Sequence, residues 1–196
     1  MCKLKRKEQI SDKDSLAFYE QIVKLHKELD DAFIKHFNRS LPFAENLIDR
    51  WDRAQKLGFG DNSSIYDSAM VIGDVVVGNH VWIGPNTIID GSGGLEIGNF
   101  CTISSGVHIY THDNVKQTLT SNVHPIERSP VRIGNNVYIA PGAIITKGVS
   151  IANFCIIGAY AFVNKNIPEN SIVIGQPAKV VGNIKFVDEA PVFNYI

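Results

Sequence analysis

The sequence predicts an all-β solenoid, a column in which short strands stack coil upon coil. Three observations support this fold class: aliphatic residues recur every six positions, the repeat resumes after two interruptions, and small residues often follow the aliphatic ones. A six-residue period fits neither an amphipathic helix nor an alternating strand. It is expected when each group of six residues, a hexad, forms one side of a three-sided coil.

The ladder of aliphatic positions contains only Ile, Val and Leu. Its members are Ile65, Val71, Val77, Ile83, Ile89, Leu95, Ile97, Ile103, Ile109, Ile133, Ile139, Ile145, Ile151, Ile157 and Val163. In a chain that is 44% hydrophobic, the chance probability of such a run is on the order of 10⁻⁵. We expect these side chains to point into the column, whose coils stack about 4.8 Å apart through parallel pairing.

Small residues mark the predicted corners of the coils. Glycine directly follows the inward residue at 78, 84, 98, 134 and 158, where a larger side chain would crowd the next coil. Cys101 and Cys155 each lie four residues after a ladder position, in a place that is otherwise mostly Ala or Val. With Cys2 they form neither a disulfide framework nor a metal cluster, and we interpret Cys101 and Cys155 as small core residues.

The first sixty residues have a helical pattern. Apolar residues at spacings of three and four predict a helix over 15–37, and a second helix is predicted over 42–57, between a proline and a glycine. Because a solenoid has open ends with unpaired backbone groups, we expect residues 1–60 to form a helical cap. The β-helix domain is predicted over 61–182, with a loop at 111–130 and a C-terminal tail at 183–196.

Two interruptions break the ladder. The first, residues 90–94 (DGSGG), shifts the phase by two residues and is either a simple bulge or a place where the Asp90 carboxylate approaches a ligand. The second is the long loop, which contains His112, Asp113 and His124. Long loops on rigid scaffolds often carry function. Asp113 either orients His112 or is a solvated acid, and His124 is the second candidate for a catalytic base.

Charge and hydropathy argue against several classes of partner. The formal net charge of −1 gives no reason to expect nucleic acid. The basic run Lys3, Lys5, Arg6 and Lys7 fits a solvated terminus. No stretch of 18 apolar residues occurs, so we expect no integral membrane segment and a cytoplasmic protein.

Three stretches together resemble the hexapeptide-repeat acyltransferases, whose fold is a left-handed parallel β-helix. They are residues 104–112 (SSGVHIYTH), 133–142 (IGNNVYIAPG) and 167–179 (IPENSIVIGQPAK). The resemblance covers about residues 60–182 and is to the branch of maltose, galactoside and xenobiotic O-acetyltransferases. Residues 49–60 are further similar to sugar O-acetyltransferases of surface-polysaccharide pathways.

The resemblance implies an acetyltransferase that moves an acetyl group from acetyl-CoA directly to a hydroxyl of a sugar or glycan acceptor, without a metal. It implies a homotrimer with active sites between the columns. His112 matches the family's general base, and Gly142 is the expected oxyanion donor. The predicted cofactor-binding residues are Tyr138, Pro141, Gly142, Ala159, Asn164, Lys165 and Lys179. The predicted substrate-binding residues are Asn86, Asp90 and His124.

Three alternatives remain open from the sequence. The first is N-acetylation of an amino-sugar nucleotide on the same scaffold. The second is a zinc hydratase of the γ-carbonic-anhydrase type, in which three histidines from two subunits bind the metal; His80, His108, His112 and His124 are its candidate ligands. The third is an inert scaffold that keeps the column without the chemistry.

Overall fold

The structure is a computed structural model that describes residues 5–196, so Cys2 and Lys3 lie outside the described residues. The chain divides into two compact units, residues 5–49 and residues 50–196. Among residues 5–196, no helix combines the length and the apolar character that crossing a bilayer requires.

The first unit is helical. A 3₁₀ helix, Arg6–Gln9, precedes α1 (Lys13–Phe37) and α2 (Phe43–Leu47). The Asp12 carboxylate caps α1 by accepting the Ser15 N–H at 2.7 Å, and α1 ends at Asn38 in the left-handed conformation. The helix predicted over 15–37 is therefore confirmed.

The single helix predicted over 42–57 is wrong. After α2, Ile48 takes extended dihedral angles (φ −102°, ψ 119°), which stop the helical hydrogen bonding. A separate helix, α3 (Arg50–Lys56), belongs to the second unit. Its Arg53 guanidinium donates to the carbonyls of Tyr66 and Ala69, the second at 2.7 Å. Carbonyls at the start of the column, where it has no preceding coil, thereby gain donors.

The second unit is built mainly from short strands and contains one further helix, α4 (Val115–Leu119). In chain order the strands are β1 (Ser64–Ile65), β2 (Met70–Val77), β3 (Trp82–Ile83), β4 (Ile88–Ile97), β5 (Thr102–Ile103), β6 (His108–Ile109), β7 (His112–Asp113), β8 (Glu127–Arg128), β9 (Val131–Ile133), β10 (Tyr138–Ile139), β11 (Ile144–Ile145), β12 (Ser150–Ile151), β13 (Ile156–Ile157), β14 (Phe162–Val163), β15 (Ser171–Ile174), β16 (Lys179–Val187) and β17 (Ala190–Tyr195).

The strands stack in parallel on three faces. The first face is β1, β3, β5, β10, β13 and β15; the second is the start of β2 and of β4, then β6, β11 and β14; the third is the end of β2 and of β4, then β9 and β12. Fourteen of the fifteen ladder residues are buried, and Val71 is partly buried against the same core. The predicted β-solenoid is confirmed, and its interior is the aliphatic ladder.

The two interruptions occur at the same corner of successive coils. Ile89 pairs with Ile109, Ile109 with Ile145, and Ile145 with Val163. The residues after these positions therefore stack at what we call the second corner, between the second and third faces. It consists of residues 90–94, 111–130, 146–148 and 164–166. The first corner, between the first and second faces, consists of residues 84–87, 104–107, 140–143 and 158–161.

An asparagine ladder explains the glycines at the third corner, between the third face and the first face of the next coil (residues 78–81, 98–101, 134–137 and 152–155). The Oδ1 atoms of Asn79, Asn99, Asn135 and Asn153 each accept an N–H from the preceding coil, at 2.7–2.8 Å. A Cβ at Gly78 would lie 2.5 Å from the Asn99 Oδ1 atom, and one at Gly134 would lie 2.6 Å from that of Asn153. Glycine is therefore required where the amide of the next coil approaches.

Cys101 and Cys155 are buried core residues, as predicted. Burial raises the pKa of both thiols, and each sulfur lies 3.1 Å from a carbonyl oxygen of the following coil. Beyond them, β15, β16 and β17 form an antiparallel end of the first face. The residues predicted as a tail, 183–196, thus contain the end of β16 and all of β17.

Candidate active site

His112 lies on a short ribbon that closes the base of the long loop. β7 and β8 pair in antiparallel fashion, with His112 opposite Arg128 and Asp113 opposite Glu127. Just outside the ribbon, the Ser129 N–H donates to the Thr111 carbonyl at 2.9 Å. The loop therefore enters and leaves the column through a hydrogen-bonded neck, and His112 is the second residue of that neck.

The carboxylate of Asp90 holds His112. Its Oδ2 atom lies 2.7 Å from Nδ1 of the imidazole and accepts the Thr111 N–H at 3.0 Å, while Oδ1 accepts the hydroxyl and N–H of Ser92. Asp90 is only 1% exposed. Burial acts to raise its pKa, but the hydrogen bonds from Ser92, Thr111 and His112 outweigh it and lower the pKa to about 2. Asp90 is therefore ionised at neutral pH.

An ionised Asp90 fixes the tautomer of the neutral imidazole. Since the carboxylate can only accept, Nδ1 of His112 carries the hydrogen and Nε2 carries the lone pair. Within residues 5–196, Nε2 has no hydrogen-bond partner, and the side chain is 36% exposed. This arrangement suits a general base, with Nε2 as the accepting atom.

Gly93 allows the neck to lie directly on the preceding coil. Its N–H donates to the Thr111 hydroxyl at 2.8 Å, and a Cβ at this position would collide with the Thr111 carbonyl and lie 3.0 Å from the Ser129 nitrogen. The base of the loop therefore packs on the glycine-rich residues 90–94, and the same segment supplies the Asp90 carboxylate that orients His112.

A cavity of about 470 Å³ opens beside His112. It is lined by Tyr110, His112, Asp113, Asn114, Ile126, Ile144, Thr146, Lys147 and Phe162. Its walls combine outward side chains of the second face with residues of the loop. A mostly apolar cavity with a few polar groups beside a base is typical of a small-molecule site.

Asp113 does not orient the histidine. Its carboxylate instead pairs with Lys147 at 2.8 Å, and this hydrogen bond lowers the Asp113 pKa. Of the two roles that the sequence left open for Asp113, the orienting role is therefore wrong, because adjacent side chains of a strand point to opposite sides. Asp90, predicted to bind substrate, occupies the orienting position instead.

The residues predicted at the oxyanion and at the cofactor divide between two corners. Pro141, Gly142 and Ala159 lie at the first corner, and the Gly142 N–H donates to the Ser105 carbonyl at 3.0 Å. Gly142 can serve an oxyanion only if this bond breaks. Asn164 and Lys165 lie at the second corner, two coils beyond the neck.

The remaining predicted residues are dispersed. Tyr138 points outward from the first face and is 45% exposed, and Lys179 begins β16. Asn86 lies at the first corner, away from His112 in the same chain. His124 lies in the loop, where its Nδ1 is 3.3 Å from the Thr120 hydroxyl. Among residues 5–196, no three His, Cys, Asp or Glu side chains converge as metal ligands would.

Comparison with known proteins agrees with the fold and the motifs. The family model described as "Bacterial transferase hexapeptide (six repeats)" matches residues 130–165. Galactoside O-acetyltransferase of Escherichia coli is 31% identical over 133 residues, 58% of this chain and 66% of the relative. WcaF of the same organism, a putative colanic acid biosynthesis acetyltransferase, is 28% identical over 109 residues, 55% of this chain and 57% of the relative.

A solved structure has the same fold. It is a mutant of AntD, an N-acyltransferase from Bacillus cereus, in complex with dTDP and coenzyme A. It matches with a TM-score of 0.58 at 21% identity, covering 67% of this chain and 88% of that chain.

The repeat, the parallel solenoid and these relatives define the class: the chain belongs to the hexapeptide-repeat acyltransferases. Within that class it resembles the galactoside O-acetyltransferases and the acetyltransferases of polysaccharide biosynthesis. The chain spans about half to two thirds of the length of the curated relatives it matches.

Proposed function

We propose that the protein transfers an acetyl group from acetyl-CoA to a hydroxyl of a sugar or glycan acceptor, with His112 as general base. The observation that carries this proposal is the 2.7 Å hydrogen bond from His112 Nδ1 to the buried, ionised Asp90, which leaves Nε2 able to accept a proton. A positioned base of this kind contributes about 10²–10⁴-fold to a rate.

The proposed step is a direct transfer. Nε2 of His112 takes the proton of the acceptor hydroxyl as its oxygen attacks the thioester carbonyl. The tetrahedral intermediate then expels the CoA thiolate, which takes the proton from the imidazolium. The Asp90 carboxylate stabilises that imidazolium while it exists. The products are an acetyl ester and free CoA.

The donor and acceptor classes are supported by the relatives. The name galactoside O-acetyltransferase states both the acceptor class and the kind of bond formed, and the description of WcaF states a polysaccharide pathway. The structure of AntD holds coenzyme A on the same fold. For this chain we propose that acetyl-CoA contacts Tyr138, Pro141, Ala159, Asn164, Lys165 and Lys179.

We further propose a homotrimer whose sites lie between columns. Pro141 and Ala159, two of the proposed donor-binding residues, lie at the first corner, whereas His112 lies at the second, and one column keeps these corners apart. The loop also has apolar side chains that are exposed in a single column: Val115, Leu119 and Val123 are 56%, 79% and 78% exposed. A neighbouring column would cover such residues and bring a first corner to His112.

The test is acetyl transfer by purified protein to a panel of sugars, followed by release of free thiol from acetyl-CoA. His112→Ala should lower the transfer rate by about 10²-fold or more without lowering the melting temperature. Mild alkali should remove the acetyl group from the product, because it cleaves esters and leaves amides intact. An undiminished transfer rate in His112→Ala, an alkali-stable product, or near-stoichiometric zinc in protein purified without a nickel column would each contradict the proposal.

A further inference from the structure

We propose that Lys147 is a positioning residue for His112, because it binds both strands of the neck, β7 and β8, to the next coil. This inference rests on the proposed function. Lys147 lies in the turn after β11, at the second corner, one coil beyond the neck. It contacts His112 only through other residues.

One ammonium group joins the two strands. Nζ of Lys147 lies 2.8 Å from Oδ2 of Asp113, on β7, and 2.6 Å from Oε2 of Glu127, on β8. Asp113 and Glu127 face each other across the ribbon, so the lysine bridges a matched pair. Because Asp113 follows His112 in the chain, displacing its carboxylate moves the backbone that carries the imidazole.

Two backbone hydrogen bonds hold the end of the neck that is nearer to the column. The Ser129 N–H binds the Thr111 carbonyl at 2.9 Å, and the Gly148 N–H binds the Ser129 carbonyl at 3.2 Å. These bonds fix the residues just before and after the ribbon. Asp90 holds one ring nitrogen of His112 and the N–H of Thr111, just before β7, but no backbone group of β7 itself. Beyond residue 112, the contacts of Lys147 secure the ribbon to the rigid column.

The position of Lys147 favours a lasting contact. Its side chain is only 23% exposed and lines the cavity beside His112. Hydrogen bonds to Asp113 and Glu127 raise the pKa of Lys147, so it stays protonated when its partners are ionised. By contrast, Lys116 is 61% exposed, lies within the loop on α4 and pairs only with Glu127.

The physical expectation separates rate from stability. Ion pairs near the surface add little to global stability. A small displacement of a catalytic group can nevertheless cost about 10²-fold in rate. Lys147 should therefore matter for turnover far more than for the melting temperature.

The kinetic test replaces the charge and keeps most of the stem. In Lys147→Met we expect kcat to fall about tenfold or more, with the KM for acetyl-CoA within about twofold. Lys147→Arg should recover most of the rate, since a guanidinium can bridge two carboxylates. Lys116→Met is the matched control within the loop and Lys185→Met the control outside it; both should keep kcat within about twofold.

A second measurement needs no activity. Amide hydrogen exchange over residues 112–128 should accelerate in Lys147→Met and stay unchanged in Lys185→Met. Unchanged exchange, or a normal kcat, would overturn the inference. A raised KM for acetyl-CoA at normal kcat would also overturn it, since Lys147 would then bind the donor. If the wild type transfers no acetyl group while amide exchange in Lys147→Met accelerates, the proposed function fails, but the role of Lys147 in holding β7 and β8 to the column is retained.

Discussion

The Asp90 carboxylate lies 2.7 Å from Nδ1 of His112, although 22 residues separate the two in the chain. The contact exists because Ile89 and Ile109 pair in adjacent coils, which stacks the residues that follow them. The candidate base and its partner therefore come from two different interruptions of one repeat. Neither the loop nor the glycine-rich slip forms the site alone.

Replacing Asp90 with Asn should lower kcat by about 10²-fold or more, because a neutral amide neither selects the Nδ1–H tautomer nor stabilises an imidazolium. Thiol release from acetyl-CoA under saturating substrates measures the change. Asp188→Asn, in the turn between β16 and β17, is the control and should retain full activity. A kcat in Asp90→Asn within twofold of the wild type would refute the orienting role.

The same carboxylate should make stability depend on pH. The Asp90 pKa is about 2 in the folded protein and 3.8 ordinarily. Because the folded value is depressed, this carboxylate stabilises the fold above about pH 5, and the stabilisation is lost as pH falls towards 2. It amounts to about 2 kcal/mol. Denaturant unfolding should show the difference between the wild type and Asp90→Asn shrinking by that amount from pH 7 to pH 2, and a constant difference would contradict it.

His124 should prove dispensable for the chemistry. It is exposed and its ring contacts the Thr120 hydroxyl rather than a carboxylate. We expect His124→Ala to keep kcat within about threefold, whereas His112→Ala loses about 10²-fold or more. Single-turnover acetyl transfer distinguishes them, with melting temperatures as the folding control. The opposite order of effects would exchange the two roles.

The asparagine ladder should contribute to stability without touching catalysis. In Asn99→Ala the Asn79 N–H loses its acceptor, which we expect to cost about 1 kcal/mol and to lower the melting temperature by about 3 °C. Activity should stay unchanged because the third corner is separate from His112. Asn194→Ala, near the end of β17, should leave the melting temperature within a degree or so. An equal loss in both variants would mean that the ladder adds nothing.

Much of the column could be predicted because one physical rule repeats. Each inward position must be aliphatic, so the ladder from Ile65 to Val163 predicts the β-solenoid. Fourteen of its members are buried. Cys101 and Cys155 follow from the same rule. The break at Ile48 could not be predicted, because residues 42–57 satisfy helical spacing on both sides of it.

The site was harder to predict, since its contacts run between coils. The sequence predicts His112 at the loop and leaves its neighbour Asp113 as one candidate orienting group, whereas stacking pairs His112 with Asp90. The signal was present: counting hexads across the two-residue slip sets residues 90 and 110 side by side. Lys147 carried no such signal, because its role depends on how the ribbon folds back, which no periodicity encodes.

The shared corner of the two interruptions has a consequence for how such a protein can diversify. Ile89 and Ile97 are eight residues apart and Ile109 and Ile133 are twenty-four apart, yet both pairs keep the parallel register of the faces around them. Chain length at this corner is thus uncoupled from the packing of the interior. A transplanted loop would have to keep the hydrogen bond between the Thr111 carbonyl and the Ser129 amide, which are 2.9 Å apart, and carboxylates that Lys147 can bind. The loop can therefore change in length and sequence while the packing of the column stays the same.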